Sequence, residues 1–317
     1  MVAMPPGSLS VVVIGGGIGG LASAIAMRKA GHKVFEKYGL SGEVGAAVGL
    51  GSNSLEYLQS LGFDNARAKV LDGRTLELLQ VLHVEKSIGG TFYRPDLHQE
   101  LRRVAESPPS SSGGGGGDAP DLPCRLFEYT EVVSIEPEQG IVHLADGSQA
   151  GADLIIAADG VHSSAMTVIL GEPSPALRSS TTAVRAVIPV AKLQQNPFGR
   201  VMAEVPGRST FSVAPDRKRY LLGYWCHGFE YLNLVLYALE DIPGMVIHTM
   251  RGETTLELLA AALSEFHPDL GTVCDHLLDV LPLWRLYTRP PAARYSRGRL
   301  VAIGDAAHAM LSAQSIG

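Results

Sequence analysis

Basic runs, paired cysteines and long apolar stretches are what this 317-residue sequence lacks. Its 26 Lys and Arg face 32 Asp and Glu, a formal net charge of -6. A phosphate-rich polymer or an anionic bilayer selects clustered cations, so nucleic acid is not an expected partner. No stretch approaches the roughly 18 uncharged apolar residues of a membrane span. The amino terminus, MVAMPPGSLS, has no basic segment followed by a long apolar one, so it does not read as a secretory signal. Cys124, Cys226 and Cys274 stand far apart, with no C-x-x-C pair and no neighbouring paired His. That pattern offers neither a zinc site nor a disulfide framework, and a reduced, cytoplasmic, metal-free protein is expected. A G-x-S-x-G elbow and a G-K phosphate loop are also missing, which removes the hydrolase readings.

What is present is a folding chain: 46% hydrophobic against 18% charged residues, enough for one large or two modest domains. Ser10 to Ile14 is a short β-branched apolar run. Glycines follow, then Ile18 to Ala30, rich in Ala, Leu and Ile, then GHKVFE. This order predicts strand, tight turn, helix and a second strand, a βαβ unit that demands a parallel sheet. GGGIGG supplies G-x-G-x-x-G at Gly15, Gly17 and Gly20. The first glycine permits the sharp turn, the second lets backbone approach a pyrophosphate, and the third lets helix pack on strand. Alone the triplet could be a structural turn. Here it leads to a strand ending in an acid, Glu36, placed to accept hydrogen bonds from an adenosine ribose.

Two more glycine–acid pairs, Asp159-Gly160 and Gly304-Asp305, each follow an apolar strand and so are expected at the ligand crevice. Leu154 to Ala158 reads as a strand buried on both faces. The preceding segment reads as a hairpin turning near Gly140, with a second turn at Asp146-Gly147. Residues 95–106 carry the stripe of a helix, with Arg94 just before it. SPPSSSGGGGGDAPDLP reads as a flexible surface loop. From Glu172 to Leu283 the character shifts to antiparallel strands, among them TTAVRAVIPV and RKRYLLGYWCHGF, and one amphipathic helix, TLELLAAALSEF. The fold class expected is α/β: a Rossmann-like dinucleotide-binding domain, residues 1–171 and 284–317, with an antiparallel-sheet substrate domain, 172–283, inserted into it.

With GGGIGGLASAIAMRKAGH, GEVGAAVGLGSNSLEYLQSLG, YRPDLHQEL, ADLIIAADGVHSS, FHPDL, LWRLYTRPP and GRLVAIGDAAHAM in this order, the sequence resembles the single-component FAD-dependent aromatic monooxygenases, especially their salicylate hydroxylase-like members. The resemblance runs from Val11 almost to Gln314. It implies FAD held by Gly15, Gly17 and Gly20 at the pyrophosphate, Glu36 at the ribose, Gly49 and Arg94 along the middle, and Asp305 at the ribityl chain. Asp159 and Gly160 would serve both FAD and a transient NAD(P)H. The implied reaction uses NAD(P)H and dioxygen to hydroxylate an aromatic, phenolic small molecule through a flavin hydroperoxide. On the substrate side it implies Arg185, which strand alternation sets opposite Val184, Ala186 and Ile188, and a Tyr from RYLLGYWC, with Tyr224 preferred over Tyr220. His98 and His308 are read as structural, and Trp225 and Trp284 as core aromatics.

The sequence departs from that pattern at four places. The interval from Gly20 to Glu36 is two residues short, which is expected to draw Glu36 back from the ribose. Met166 stands where an arginine is usual after Asp159-Gly160, so the cation expected to anchor that loop is missing. LSAQSIG has Ser312 and Ser315 where proline and glycine are usual. The long helix that follows in the family is absent, so the flavin domain is expected to be cut short at its carboxyl end. The alternative function is therefore an inactive remnant with weak or no FAD binding. An NAD-binding dehydrogenase is a further rival, and the Gly304-Asp305 pair and the Arg94 helix argue against it.

Overall fold

The computed structural model describes residues 9–27, 33–40, 47–49, 68–72, 78–82, 91–106, 123–193, 196–197, 199–200, 209–227, 230–239, 251–272 and 280–311. The Gly/Ser-rich segment 107–122, Cys274, Ser312 and Ser315 lie outside the described residues. The chain divides into two compact units. The first comprises Met1–Val44, Pro95–Leu177 and Tyr287–Leu311, and the second Gly45–Arg94, Arg178–Leu286 and Ser312–Gly317.

In the first unit, β1 (Val11–Ile14), α1 (Ile18–Ala26) and β2 (Lys33–Phe35) form the expected βαβ unit. Val11, Val12, Val13 and Ile14 are all buried, as β-branched residues are in a strand covered on both faces. Counting every strand of the chain in order, those following in this unit are β7 (Arg125–Phe127), β8 (Val132–Glu136), β9 (Ile141–Leu144), β10 (Gln149–Gly151), β11 (Leu154–Ala157), β18 (Ser296–Arg297) and β19 (Leu300–Ala302). The main sheet runs β18-β19-β11-β1-β2-β7, parallel throughout except at its β18 edge. Each face has its own core. Val12, Ile14, Ile155, Ala157 and Leu300 meet one set of side chains, and Val11, Val13, Val34 and Ile156 meet another. Strands β8, β9 and β10 make a three-stranded antiparallel sheet whose turns at Gly140 and Gly147 match the sequence reading.

In the second unit, β4 (Ala68–Asp72), β5 (Leu78–Leu82), β12 (Leu177–Pro189), β13 (Ser209–Val213), β14 (Arg219–Cys226), β15 (Tyr231–Leu239), β16 (Arg251–Thr255) and β17 (Val280–Thr288) form one sheet. Its order is β16-β17-β12-β15-β14-β13-β4-β5, with β13 and β4 parallel. One face packs Val184, Ile188, Leu232, Leu234 and Trp225 against Leu259, Leu263 and Phe266 of TLELLAAALSEF, whose helix spans Leu256–Leu263. The other face carries Ala183, Tyr224, Cys226, Val235 and Tyr237. A separate antiparallel pair joins β3 (Ala47–Gly49) to β6 (Thr91–Tyr93), and β6 runs directly into α2 (Arg94–Glu106).

Candidate cofactor site

Four adjacent strands of the parallel sheet, β19, β11, β1 and β2, end at one edge. Their continuations are Gly304-Asp305, Asp159-Gly160, the glycine turn and Glu36. Parallel pairing places all four carboxyl ends on the same side, so segments scattered from residue 15 to 305 converge without any loop having to travel. The amino edge is closed differently. There Ser10 bonds Asp153, and Arg299 donates its backbone amide to Pro137 O, 2.7 Å away, at the hairpin.

Two of the three fingerprint glycines are dictated by contact. Gly15 has φ +98°, and a Cβ there would lie 2.5 Å from Ala158 O. A Cβ on Gly20 would fall 1.9 Å from Gly15 O, which is why α1 can seat on the turn only through glycine. Gly17 is the contrast. It caps α1 with no side-chain cap, its α1 first turn has no acid, and nothing lies within 4 Å of a Cβ placed there. An uncapped helix end with open space before it has unpaired N–H groups and a positive dipole end, the donor set a pyrophosphate requires.

Glu36 is not drawn back from this turn. Its Oε2 accepts the Gly16 amide at 2.6 Å and its Oε1 accepts the Tyr38 amide at 3.0 Å. The carboxylate therefore sits against the glycine turn, with a lone pair left on each oxygen. The carbonyl of the same residue, in the next peptide, is held by His98 of α2, whose Nε2 lies 2.7 Å from Gly16 O. His98 is 3% exposed.

Asp159 has an open face yet sits among enough protein for desolvation to push its carboxyl above the ordinary range. The Ser163 hydroxyl and the Arg289 charge pull the other way, and Glu36 adds a smaller upward push. Arg289 is the residue the sequence reading did not assign. It is buried and donates from Nη2 to Val161 O at 3.2 Å and to Ser163 O at 3.3 Å. Its Nη1 bonds Ser174 O, and its backbone amide donates to Ala309 O at 2.8 Å. Burial holds this guanidinium below its ordinary value. Met166, where a cation was expected, is fully buried in the apolar cluster around Ile155 and Leu300. A charge there would have no solvent and no partner among those side chains, whereas Arg289 reaches the same loop through its carbonyls.

Asp305 is the first residue of a four-residue helix, α3 (Asp305–His308), and is exposed, as is His308. Gly49 ends β3 and Arg94 begins α2, both within the second unit. Arg185 and Tyr224 share the Tyr237 face of the second sheet. Arg185 pairs with Val235 and Tyr224 with Asn233, so the two lie diagonally across β15. Arg185 Nε is buried with no hydrogen-bond partner. Burial pushes the Tyr224 hydroxyl far up, against the opposing charge of Arg185. Tyr220 is stacked on Tyr237 with ring centroids 4.7 Å apart. Trp225 is in the core of the opposite face, and Trp284 packs beside Tyr224 and Tyr237. Among the described residues, no group of three or more His, Cys, Asp or Glu could hold a metal ion, and no helix is long and apolar enough to cross a membrane.

A parallel sheet whose carboxyl edge gathers a glycine turn, an open helix amino end and three acids defines an α/β dinucleotide-binding oxidoreductase, and its residues fit FAD. Residues 10–38 match the family described as FAD binding domain. Over 96% of its length the chain is 28% identical to the FAD-dependent monooxygenase cfoG of Aspergillus candidus, covering 72% of that protein. It is 26% identical to salicylate hydroxylase of Pseudomonas putida, over 98% of this chain and 73% of that one. A solved salicylate hydroxylase substrate complex shares the fold, with a TM-score of 0.71 at 21% identity over 98% of this chain and 76% of the other. Over nearly its whole length the chain is similar to FAD-dependent monooxygenases.

Proposed function

We propose that this chain is a flavin hydroxylase that uses NAD(P)H and dioxygen to hydroxylate a phenolic aromatic small molecule. The observation that carries it is the convergence of Gly15, Gly17, Gly20, Glu36, Asp159, Gly160 and Asp305 on one sheet edge, together with a second unit whose sheet carries a half-buried arginine and a buried tyrosine on one face. FAD, when bound and reduced, supplies the oxygen-activating chemistry. The chain's own residues have binding and orienting work. The α1 amino end takes the pyrophosphate, Glu36 the adenosine ribose, Gly49 and Arg94 the middle of the cofactor, and Asp305 the ribityl hydroxyls. Asp159 and Gly160 support the nicotinamide nucleotide as well. Arg185 holds the acidic group of the ring, and Tyr224, kept protonated by burial, donates a hydrogen bond to it. The domain division belongs to the same proposal: an FAD-binding domain of 1–171 with 284–317, and a substrate domain of 172–283.

The test is a visible spectrum and an FAD titration of the purified chain, followed by NAD(P)H oxidation with a panel of phenols. Near-stoichiometric flavin binding and substrate-stimulated oxidation are expected. Arg185→Met is expected to raise the KM for an acidic phenol about 10- to 100-fold, the equivalent of one charge-assisted hydrogen bond. A colourless protein indifferent to FAD would favour the inactive alternative. Unchanged KM in the Arg185 variant would remove that residue from the substrate site.

A further inference from the structure

Gly16 is gripped by side chains through both of its backbone groups, the N–H of the Gly15–Gly16 peptide and the C=O of the Gly16–Gly17 peptide. Glu36 Oε2 accepts its amide at 2.6 Å, and His98 Nε2 lies 2.7 Å from its carbonyl oxygen. A carbonyl only accepts, so the His98 ring must carry its proton on Nε2. Gly16 itself is buried, and a Cβ there would press within 3.2 Å of Leu40 Cδ1 and 3.3 Å of Glu36 Cβ, so the turn is crowded as well as bonded. His98 comes from α2, 82 residues away in sequence, and none of the roles assigned to the cofactor edge uses it.

We propose that His98 is a positioning residue that, by donating to Gly16 O while Glu36 accepts Gly16 N–H, fixes the glycine turn in its pyrophosphate-ready form and thereby sets FAD affinity. The inference rests on the FAD reading given above. The physical ground is preorganisation. A glycine-rich turn has more backbone freedom than any other, and ordering it on binding is charged against affinity. Two bonds to one residue, one on each of the peptides flanking its Cα, order it beforehand. Holding the Gly16 carbonyl also sets the Gly16–Gly17 peptide plane, and with it the direction in which the Gly17 amide points.

The experiment compares the wild-type chain with His98→Phe, which keeps ring size and removes the donor, and His98→Gln, whose amide nitrogen can still donate to Gly16 O. Each apoprotein is titrated with FAD, its thermal midpoint is recorded without FAD, and the His98 ring nitrogens of the wild type are observed by long-range nitrogen–proton NMR. The expected result is about a tenfold weaker FAD Kd for His98→Phe, most of it recovered in His98→Gln, the size of one buried hydrogen bond. The wild-type spectrum should show a proton on Nε2. An unprotonated Nε2, or His98→Phe binding FAD as tightly as wild type, overturns the proposal. So does His98→Gln binding as weakly as His98→Phe when the two share a thermal midpoint. Should His98→Phe not fold, the Gln variant and the ring spectrum still decide. A wild-type chain that takes up no FAD refutes the cofactor reading instead, and the Nε2 signal then reports on the latch alone.

Discussion

At the scale of single residues, the glycine turn separates two demands that a sequence motif merges. Gly20 is required by the fold, because its missing Cβ is the space occupied by Gly15 O. Gly17 has extended backbone at φ -70° and open space in front of it, so the fold does not need a glycine there; the ligand does. Alanine substitutions should therefore diverge. Gly20→Ala is expected to cost more than about 3 kcal/mol of apoprotein stability, since a backbone oxygen has to move. Gly17→Ala should cost under about 1 kcal/mol, the scale of a helix-cap exchange, yet weaken FAD binding at least about tenfold by placing a methyl where phosphate would lie. Urea unfolding of the two apoproteins together with FAD titration checks this. A Gly17→Ala variant with unimpaired FAD binding would show that the pyrophosphate does not use the α1 amino end.

At the scale of elements, the loop after β11 is held by a residue distant in sequence. Arg289 closes on Val161 and Ser163 carbonyls that lie 128 and 126 residues away, and its charge acts on Asp159 at the start of the same loop. Because Asp159 is raised in the folded protein, it binds more protons folded than unfolded in the window above its ordinary value of 3.8. Stability therefore falls as pH rises through that window, and the ionised carboxylate is a cost at neutral pH. Asp159→Asn keeps the hydrogen bond to Ser163 and removes the charge. Its thermal midpoint should exceed that of wild type at pH 7 and converge with it near pH 3, while FAD affinity drops; a lower midpoint at pH 7 would show that the Arg289 charge outweighs desolvation. This is also where the reach of the sequence ends. The βαβ unit, the Gly140 and Gly147 turns, and the Leu259–Leu263–Phe266 stripe were legible because they depend on local spacing. Arg289 and His98 were not, because each bonds to backbone carbonyls of remote segments, and a carbonyl has no sequence signature. Residues 68–72 and 78–82 escaped for the same reason: β4 joins the large sheet through parallel pairing to β13, some 140 residues on.

At the scale of the whole molecule, the four turns at the cofactor edge follow four adjacent strands, and a dinucleotide lying along that edge would touch all of them. FAD at about 100 times its Kd stabilises the form that binds it by about 2.7 kcal/mol relative to forms that do not. That stabilisation should fall on the turns at the carboxyl ends of β1, β2, β11 and β19 and spare the amino edge, where the hairpin around Gly140 is tied to Arg299. Hydrogen exchange with and without FAD is therefore expected to slow at Gly15–Gly20, Glu36–Tyr38, Ala158–Ser163 and Gly304–Ala306 together, with residues 137–140 unchanged. The prediction is sharper than flavin binding alone, since a dinucleotide seated only on the α1 amino end would protect the first segment and leave the other three as they were. Protection confined to Gly15–Gly20 would remove Asp159 and Asp305 from the cofactor site. Protection of all four would tie residues nearly three hundred positions apart in sequence to a single bound molecule.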